Sequence, residues 1–256
     1  MTTARIIRMD PHGPDGSGLA ILPPFDPSDL VSGTPVQRGH TYLDDKPAGL
    51  SIGVWDCTAF TAKPGPYSVN EFMVLLEGSV TIVDARGGET VITAGESFIL
   101  PKGHVCQWKQ TGYVRKFYVI FDDASGLTPK DAAALKVLKL DLAATLPPAA
   151  PIDPALILSG KPPALHDLNV FTDMTGQLAA GVWDATPYDR KPIVFGRHEL
   201  MHILEGAVTM TGADGLAQTF KAGHTALVPA GVEMGWTSTQ YVRKIYCSFT
   251  PKPALA

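Results

Sequence analysis

The chain has 256 residues, a net charge of −4, 45% hydrophobic and 18% charged residues, an ordinary globular composition without the clustered Lys/Arg face that nucleic acid requires. No apolar run reaches the roughly 18 residues of a membrane span, and the N-terminus "MTTARIIRMDPHG" has no apolar signal core, so the expected setting is cytoplasmic, with no membrane or nucleic-acid partner. Cys57, Cys106 and Cys247 are an odd number without CxxC spacing, which argues against a disulfide framework and a four-cysteine zinc site.

Taken in chain order, the local signals are β. The 22 prolines and 25 glycines favour short strands and turns over long helices. An N-terminal arm contains "RIIRMD" (5–10) and "LPPFDPSDLVSGTP" (22–35). Beyond it, "NEFMVLLEG" and "SVTIVD" read as strands, "DARGGE" as a hairpin turn, and "ETVITAGESFILPKG" as strand, turn, strand and stop. The polar stretch "DDASGLTPKDAAALK" (122–136) marks a boundary and predicts a short helix. A second arm follows, with "VLKLDL" (137–142) and "LPPAAPIDPALILSGKP" (146–162).

The rest of the chain repeats what came before. "GVWDCTAFTAKPGPYSVNEFMVLLEGSVTIVDARGG" from Gly53 registers without a gap on "GVWDATPYDRKPIVFGRHELMHILEGAVTMTGADGL" from Gly181, and the match runs on to "YVRKFYVIF" and "YVRKIYCSF". At an offset of 128, 28 of 69 positions are identical. The expected organisation is 1–125, an arm plus one barrel-sized unit, and 126–256, linker and arm plus a second. Short strands at this spacing indicate a sandwich or small barrel in each half.

Within the second copy, His198-Glu199-Leu200-Met201-His202 spells H-E-x-x-H, which on a helix is a zinc-peptidase signature. Its twin in the first copy, "NEFMV" (70–74), runs into the same E-G turn and β-branched segment, so both are strands. On a strand His198 and His202 stand about 13 Å apart at roughly 3.3 Å per residue, and Glu199 takes the opposite face. The peptidase constellation cannot form.

The series G-V-W-D, E-x4-L-E-G-x-V-T, G-x5-P-x-G, W and V-R-K-x-Y, present in both halves, resembles a cupin. It looks like the branch called cupin 3, which includes ethanolamine-utilisation-protein-like and some (S)-ureidoglycine-aminohydrolase-like proteins. The resemblance implies an all-β bicupin of two tandem jelly-roll barrels with a pseudo-twofold repeat. Cupins usually hold a metal with an HxH-x3–4-E set and a later histidine. Here the glutamate matches Glu71 and Glu199, but the HxH positions fall near Gly65/Tyr67 and Ile193/Phe195, and the late histidine at Cys106 and Met234. One carboxylate per barrel is a poor site for Fe, Mn or Zn. No cofactor is therefore expected, with a divalent metal in the second barrel as the alternative.

If the glutamates point inward as the resemblance implies, Met73 and Met201 do too. On the V-R-K-x-Y strand, Lys116 and Tyr118 share one face, as do Lys244 and Tyr246, with Arg115 and Arg243 on the other. The expected catalytic or polar groups are Glu71, Lys116, Tyr118, Glu199, Lys244 and Tyr246. Trp55, Trp108, Trp183, Trp236, Cys106 and Met234 are the expected substrate-binding lining. Desolvation beside a cation would tune the glutamate for acid–base work. Three readings stay open: a metal-poor bicupin binding a small polar metabolite, with or without turnover; a metal enzyme similar to ureidoglycine aminohydrolase; and a sensing or structural bicupin in which Glu–Lys is only an ion pair closing the barrel. Many cupins dimerise by exchanging N-terminal strands. Here 5–10 and 137–142 can exchange within one chain, leaving a monomer with internal pairing or its homodimer.

Overall fold

The computed structural model describes residues 5–123, 134–159 and 161–251. The helix expected within 122–136 falls largely on 124–133, outside the described residues. Among the described residues there are β-strands and short 3-10 turns, and no helix long and apolar enough to cross a membrane.

Two compact units form. One holds the described residues of 10–140 with 173–175, the other those of 1–9, 141–172 and 176–256. In the first unit, one sheet runs in the order Leu138–Lys139, Ser97–Leu100, Asn70–Glu77, Val114–Phe121, Leu50–Cys57, Gln37–Asp45, Ala20–Ile21. Its companion runs Glu89–Thr93, Ser79–Asp84, Val105–Gln110, Phe60–Ala62, Leu30–Ser32. The second unit repeats this plan. Its sheets run Ile7–Met9, Thr225–Val228, His198–Glu205, Val242–Phe249, Leu178–Ala185, Leu165–Thr172, and Ala217–Lys221, Ala207–Gly212, Glu233–Ser238, Tyr188–Val194, Ile157–Ser159. All pairings are antiparallel. This is a tandem jelly-roll, as the repeat and the resemblance imply.

Period-2 alternation explains which side chains turn inward. In "SVTIVD" Val80 and Ile82 are buried, and in "AVTMTG" Val208 and Met210. They join Met73, Leu75 and Phe98 in the first core and Met201, Ile203 and Phe220 in the second. The E-G turns need glycine: Gly78 and Gly206 have φ of 80° and 76°, a region that L residues rarely enter. A Cβ there would also strike the carbonyl oxygens of Tyr113 and Tyr241.

The arms pair as the exchange reading requires. Ile7–Met9, which precedes the first barrel in sequence, pairs with Thr225–Val228 of the second. Leu138–Lys139, which precedes the second, pairs with Ser97–Leu100 of the first.

Candidate functional site

The first barrel encloses a cavity of about 600 Å³. Glu71 comes from Asn70–Glu77 and Lys116 from the neighbouring Val114–Phe121, and both are buried. Lys116 Nζ donates to Glu71 Oε1 at 2.8 Å. The Tyr67 hydroxyl donates to Glu71 Oε2 in a short hydrogen bond. Burial and the adjacent carboxylate push the Tyr67 phenol well above its ordinary pKa, so it stays a donor. Lys116 Nζ also lies 4.9 Å and 4.8 Å from the ring centres of Trp55 and Trp108, within cation–π range. Trp55 donates its indole N–H to Gln37 Oε1 and Trp108 to Gln110 Oε1. Tyr118 faces the cavity and sits 3.2 Å from Thr41 Oγ1. The remaining wall is largely apolar, with Leu22, Phe25, Val54 and Phe60.

The second barrel encloses about 460 Å³ and is far more charged. Lys244 Nζ donates to Glu199 Oε1 at 2.8 Å. Arg197 binds the other oxygen through Nε at 2.8 Å and Nη2 at 2.7 Å. Lys244 lies over Trp183 and Trp236 as Lys116 does over its pair. Burial alone would raise the Glu199 pKa, but the charges of Lys244 and then Arg197 outweigh it, so the carboxyl lies below its ordinary value. Burial also draws Lys244 below the usual ammonium range, against the pull of Glu199. Burial raises Asp167, with Tyr246, Lys244 and Arg197 pulling the other way. It pushes the Tyr246 phenol upward as well.

The expected residues divide cleanly. Glu71, Lys116, Tyr118, Trp55 and Trp108 line one cavity, and Glu199, Lys244, Tyr246, Trp183, Trp236 and Met234 the other. Cys106 is buried beside the first cavity without lining it. Desolvation raises its thiol to about 11, which leaves no thiolate near neutrality. Arg115 and Arg243 take the outer face as expected, where they bond Asp56 and Asp184 together with Tyr113 and Tyr241. His198 and His202 sit on a regular stretch of strand opposite Glu199 and Met201, so the H-E-x-x-H string is no peptidase centre. Glu199 is thus both desolvated and matched by two cations, Lys244 and Arg197, and the cations set the direction of its shift.

Among the lining residues that sequence reasoning missed, four bear on the polar chemistry: Tyr67 as the partner of Glu71, and Arg197, Arg190 and Asp167 in the second barrel. The last three stand where the first copy has Val69, Ala62 and Gly39. A search for residues shared between copies passes over them, whereas a search for charge gained in one copy finds them.

The fold family implies a metal, and the donor set does not suit one. Each barrel offers one inner glutamate whose two oxygens already accept from Lys116 and Tyr67, or from Lys244 and Arg197. Among the described residues no group of three or more His, Cys, Asp or Glu converges. A divalent cation would have to compete with a lysine and, in the second barrel, a guanidinium.

Comparison with known proteins agrees with the fold. The chain is similar to a protein of unknown function of the DUF861 family from Pseudomonas syringae pv. tomato, at 27% identity and a TM-score of 0.78, covering 96% of this chain and 100% of that one. The DUF861 protein Ylba from E. coli shares 13% identity at a TM-score of 0.59, covering 99% of this chain and 97% of that one. A cupin 2 conserved barrel domain protein from Leptotrichia buccalis shares 12% at 0.58, covering 91% and 98%. These last two likenesses are of fold alone. No curated protein matches the sequence. Residues 47–118 and 172–246 each match the EutQ-like cupin domain. With two copies of that domain spanning over half its length, the chain belongs to the EutQ-like cupin family.

Proposed function

We propose that this bicupin binds a small polar metabolite inside a barrel, without a resident metal, and that the second barrel is the principal site. The observation that carries this reading is where the buried ion pairs lie. A pair that only closed a barrel end would be packed on all sides. Glu71–Lys116 and Glu199–Lys244 instead face cavities of about 600 and 460 Å³, within the size of small-molecule sites. Burying such charges is costly even when they are paired, and a hydrophobic pair of similar volume would often be no less stable.

In this reading Glu199 and Lys244 present a fixed polar wall, with Tyr246 beside them and the Trp183–Trp236 pair gripping a planar or apolar part. Their rings meet edge to face with centres 5.6 Å apart. Glu71, Lys116, Tyr118, Trp55 and Trp108 play the same parts around a less polar ligand. The low pKa of Glu199 suits a permanent acceptor better than a proton donor at neutral pH, so binding rather than proton transfer is the role assigned.

The test is calorimetric titration of the purified full chain with a panel of small acids, amines, amides and alcohols, repeated with Glu199→Gln and Glu71→Gln. A compound whose affinity falls at least about tenfold with Glu199→Gln is the expected result. Panel members that bind equally to all three proteins, or no binding at all, would reduce the ion pairs to scaffold.

A further inference from the structure

The charged groups of the second cavity do not all find partners. Its wall carries Arg190, Arg197 and Lys244 against Glu199, Asp167 and the exposed Asp153, whose Oδ1 accepts from the Ala155 N–H. Both oxygens of Glu199 are taken by Lys244 and Arg197. Arg190 comes from Tyr188–Val194, where alternation turns Tyr188 and Arg190 inward and Asp189 outward. It is only 6% exposed. Its Nη2 donates to the Met234 carbonyl oxygen at 3.1 Å and approaches Met234 Sδ, while Nη1 is buried with no partner. A guanidinium stays charged in proteins, so a buried cation faces the cavity with a donor unspent.

On the same cavity Asp167 shows the converse. It comes from Leu165–Thr172, and its Oδ1 is buried without a partner. Its neighbour across the sheet is Trp183. Arg190 and Asp167 line one space but do not form an ion pair with each other. Nor is the arrangement scaffold inherited by both barrels, because Ala62 and Gly39 hold these positions in the first. Arg190 and Asp167 both line the cavity, and each keeps one buried side-chain atom without a partner, although Asp167 also bonds Tyr246; an unfilled donor on a cation and an unfilled acceptor on a carboxylate at one cavity wall describe the complement of a ligand.

We infer that the second barrel takes a small organic carboxylate carrying an ammonium or hydroxyl group at its other end. The carboxylate meets Arg190 and the donor meets Asp167, while the indoles of Trp183 and Trp236 cover the part between. The first barrel, lacking both groups, does not take this ligand. The inference rests on the binding reading above and names its ligand class.

The experiment titrates the full chain with glycine, β-alanine, 4-aminobutyrate, 5-aminovalerate, 6-aminohexanoate and 4-aminobenzoate. Each is paired with its primary amide and its des-amino carboxylate. At least one amino-carboxylate should bind and its amide should not. Arg190→Met should weaken it about thirtyfold or more, and Arg190→Lys should recover part of the loss. Asp167→Asn should weaken the amino-carboxylate about tenfold and leave the des-amino compound unchanged. Because Arg190→Met removes an unmatched buried cation, its ligand-free melting temperature should equal or exceed that of the parent, which separates lost recognition from misfolding. Failure of every carboxylate, or a carboxylate affinity that ignores Arg190→Met, overturns the inference. If the broader panel then yields a neutral or cationic binder sensitive to Glu199→Gln, the binding reading survives alone. If it yields nothing, both fall.

Discussion

Lys244 and Glu199 approach to 2.8 Å in the second barrel, the same separation as Lys116 and Glu71 in the first, yet the two pairs are not equally replaceable. Glu199 keeps Arg197 if its lysine is lost, whereas Glu71 keeps only the Tyr67 hydroxyl. Breaking a buried pair costs about 3–5 kcal/mol. Lys116→Met should therefore lose stability in that range, and Lys244→Met distinctly less. Urea unfolding of both variants checks the order, and the reverse order would remove Arg197 as a compensating partner.

His202 sets an acid limit on stability. Burial, helped by repulsion from His224, lowers its imidazole from 6.5 to about 4. The unfolded chain takes up this proton before the folded one does. Stability from this group is thus whole above pH 6.5 and lost as pH falls towards 4, by about 3 kcal/mol at 1.36 per unit. His202→Gln, which can still bond Thr225, should remove that part of the slope. Melting temperatures of the two proteins between pH 4 and 7 give the difference, and parallel curves would refute the shift.

All three thiols should be silent in the native protein. Cys57 and Cys106 are raised to about 11, chiefly by burial, and Cys247 is pushed well above its ordinary value. Titration with Ellman's reagent at pH 8 should report none of them within minutes and all three in denaturant. Rapid native labelling at Cys106 would restore it as a reactive group.

Gly53 and Gly181 allow a close approach that no other residue permits. A Cβ on Gly181 would meet the Leu168 carbonyl oxygen and, at 2.8 Å, the Tyr246 hydroxyl; on Gly53 it would meet the His40 carbonyl oxygen and Tyr118. Gly53→Ala and Gly181→Ala should each cost about 1–3 kcal/mol. They should also displace the tyrosines that face the cavities, visible as a shift in tyrosine fluorescence or ring resonances. Unchanged spectra would mean the strands can spread without moving those rings.

The repeat made the two barrel-sized units readable in advance and the cupin resemblance set the glutamates inward; strand alternation then put Lys116 with Tyr118 and Lys244 with Tyr246 on one face. Glu199, Lys244 and Trp236 needed only register. Arg190 and Asp167 did not follow from that logic. Both sit in regular register, Asp167 opposite Trp183 and Arg190 opposite Trp236, but each differs from its counterpart in the first copy, so residues shared between copies do not point to them. The pairing of Tyr67 with Glu71 depends on a turn geometry that alternation does not describe.

The crossing of the two arms has a topological consequence. Ile7–Met9 is an edge strand of the barrel that ends the chain, and Leu138–Lys139 is an edge strand of the barrel that begins it. A single cut after Leu140 keeps every strand of the first barrel, but no single cut yields the second barrel whole, because Ile7–Met9 lies on the far side of the first. A fragment ending before Leu138 would carry its neighbour's edge strand and leave the Ser97–Leu100 edge bare, an invitation to self-association. The dependence is therefore one-sided: the second pocket needs a strand that lies upstream of the whole first barrel, whereas the first pocket is complete once Leu140 has been made.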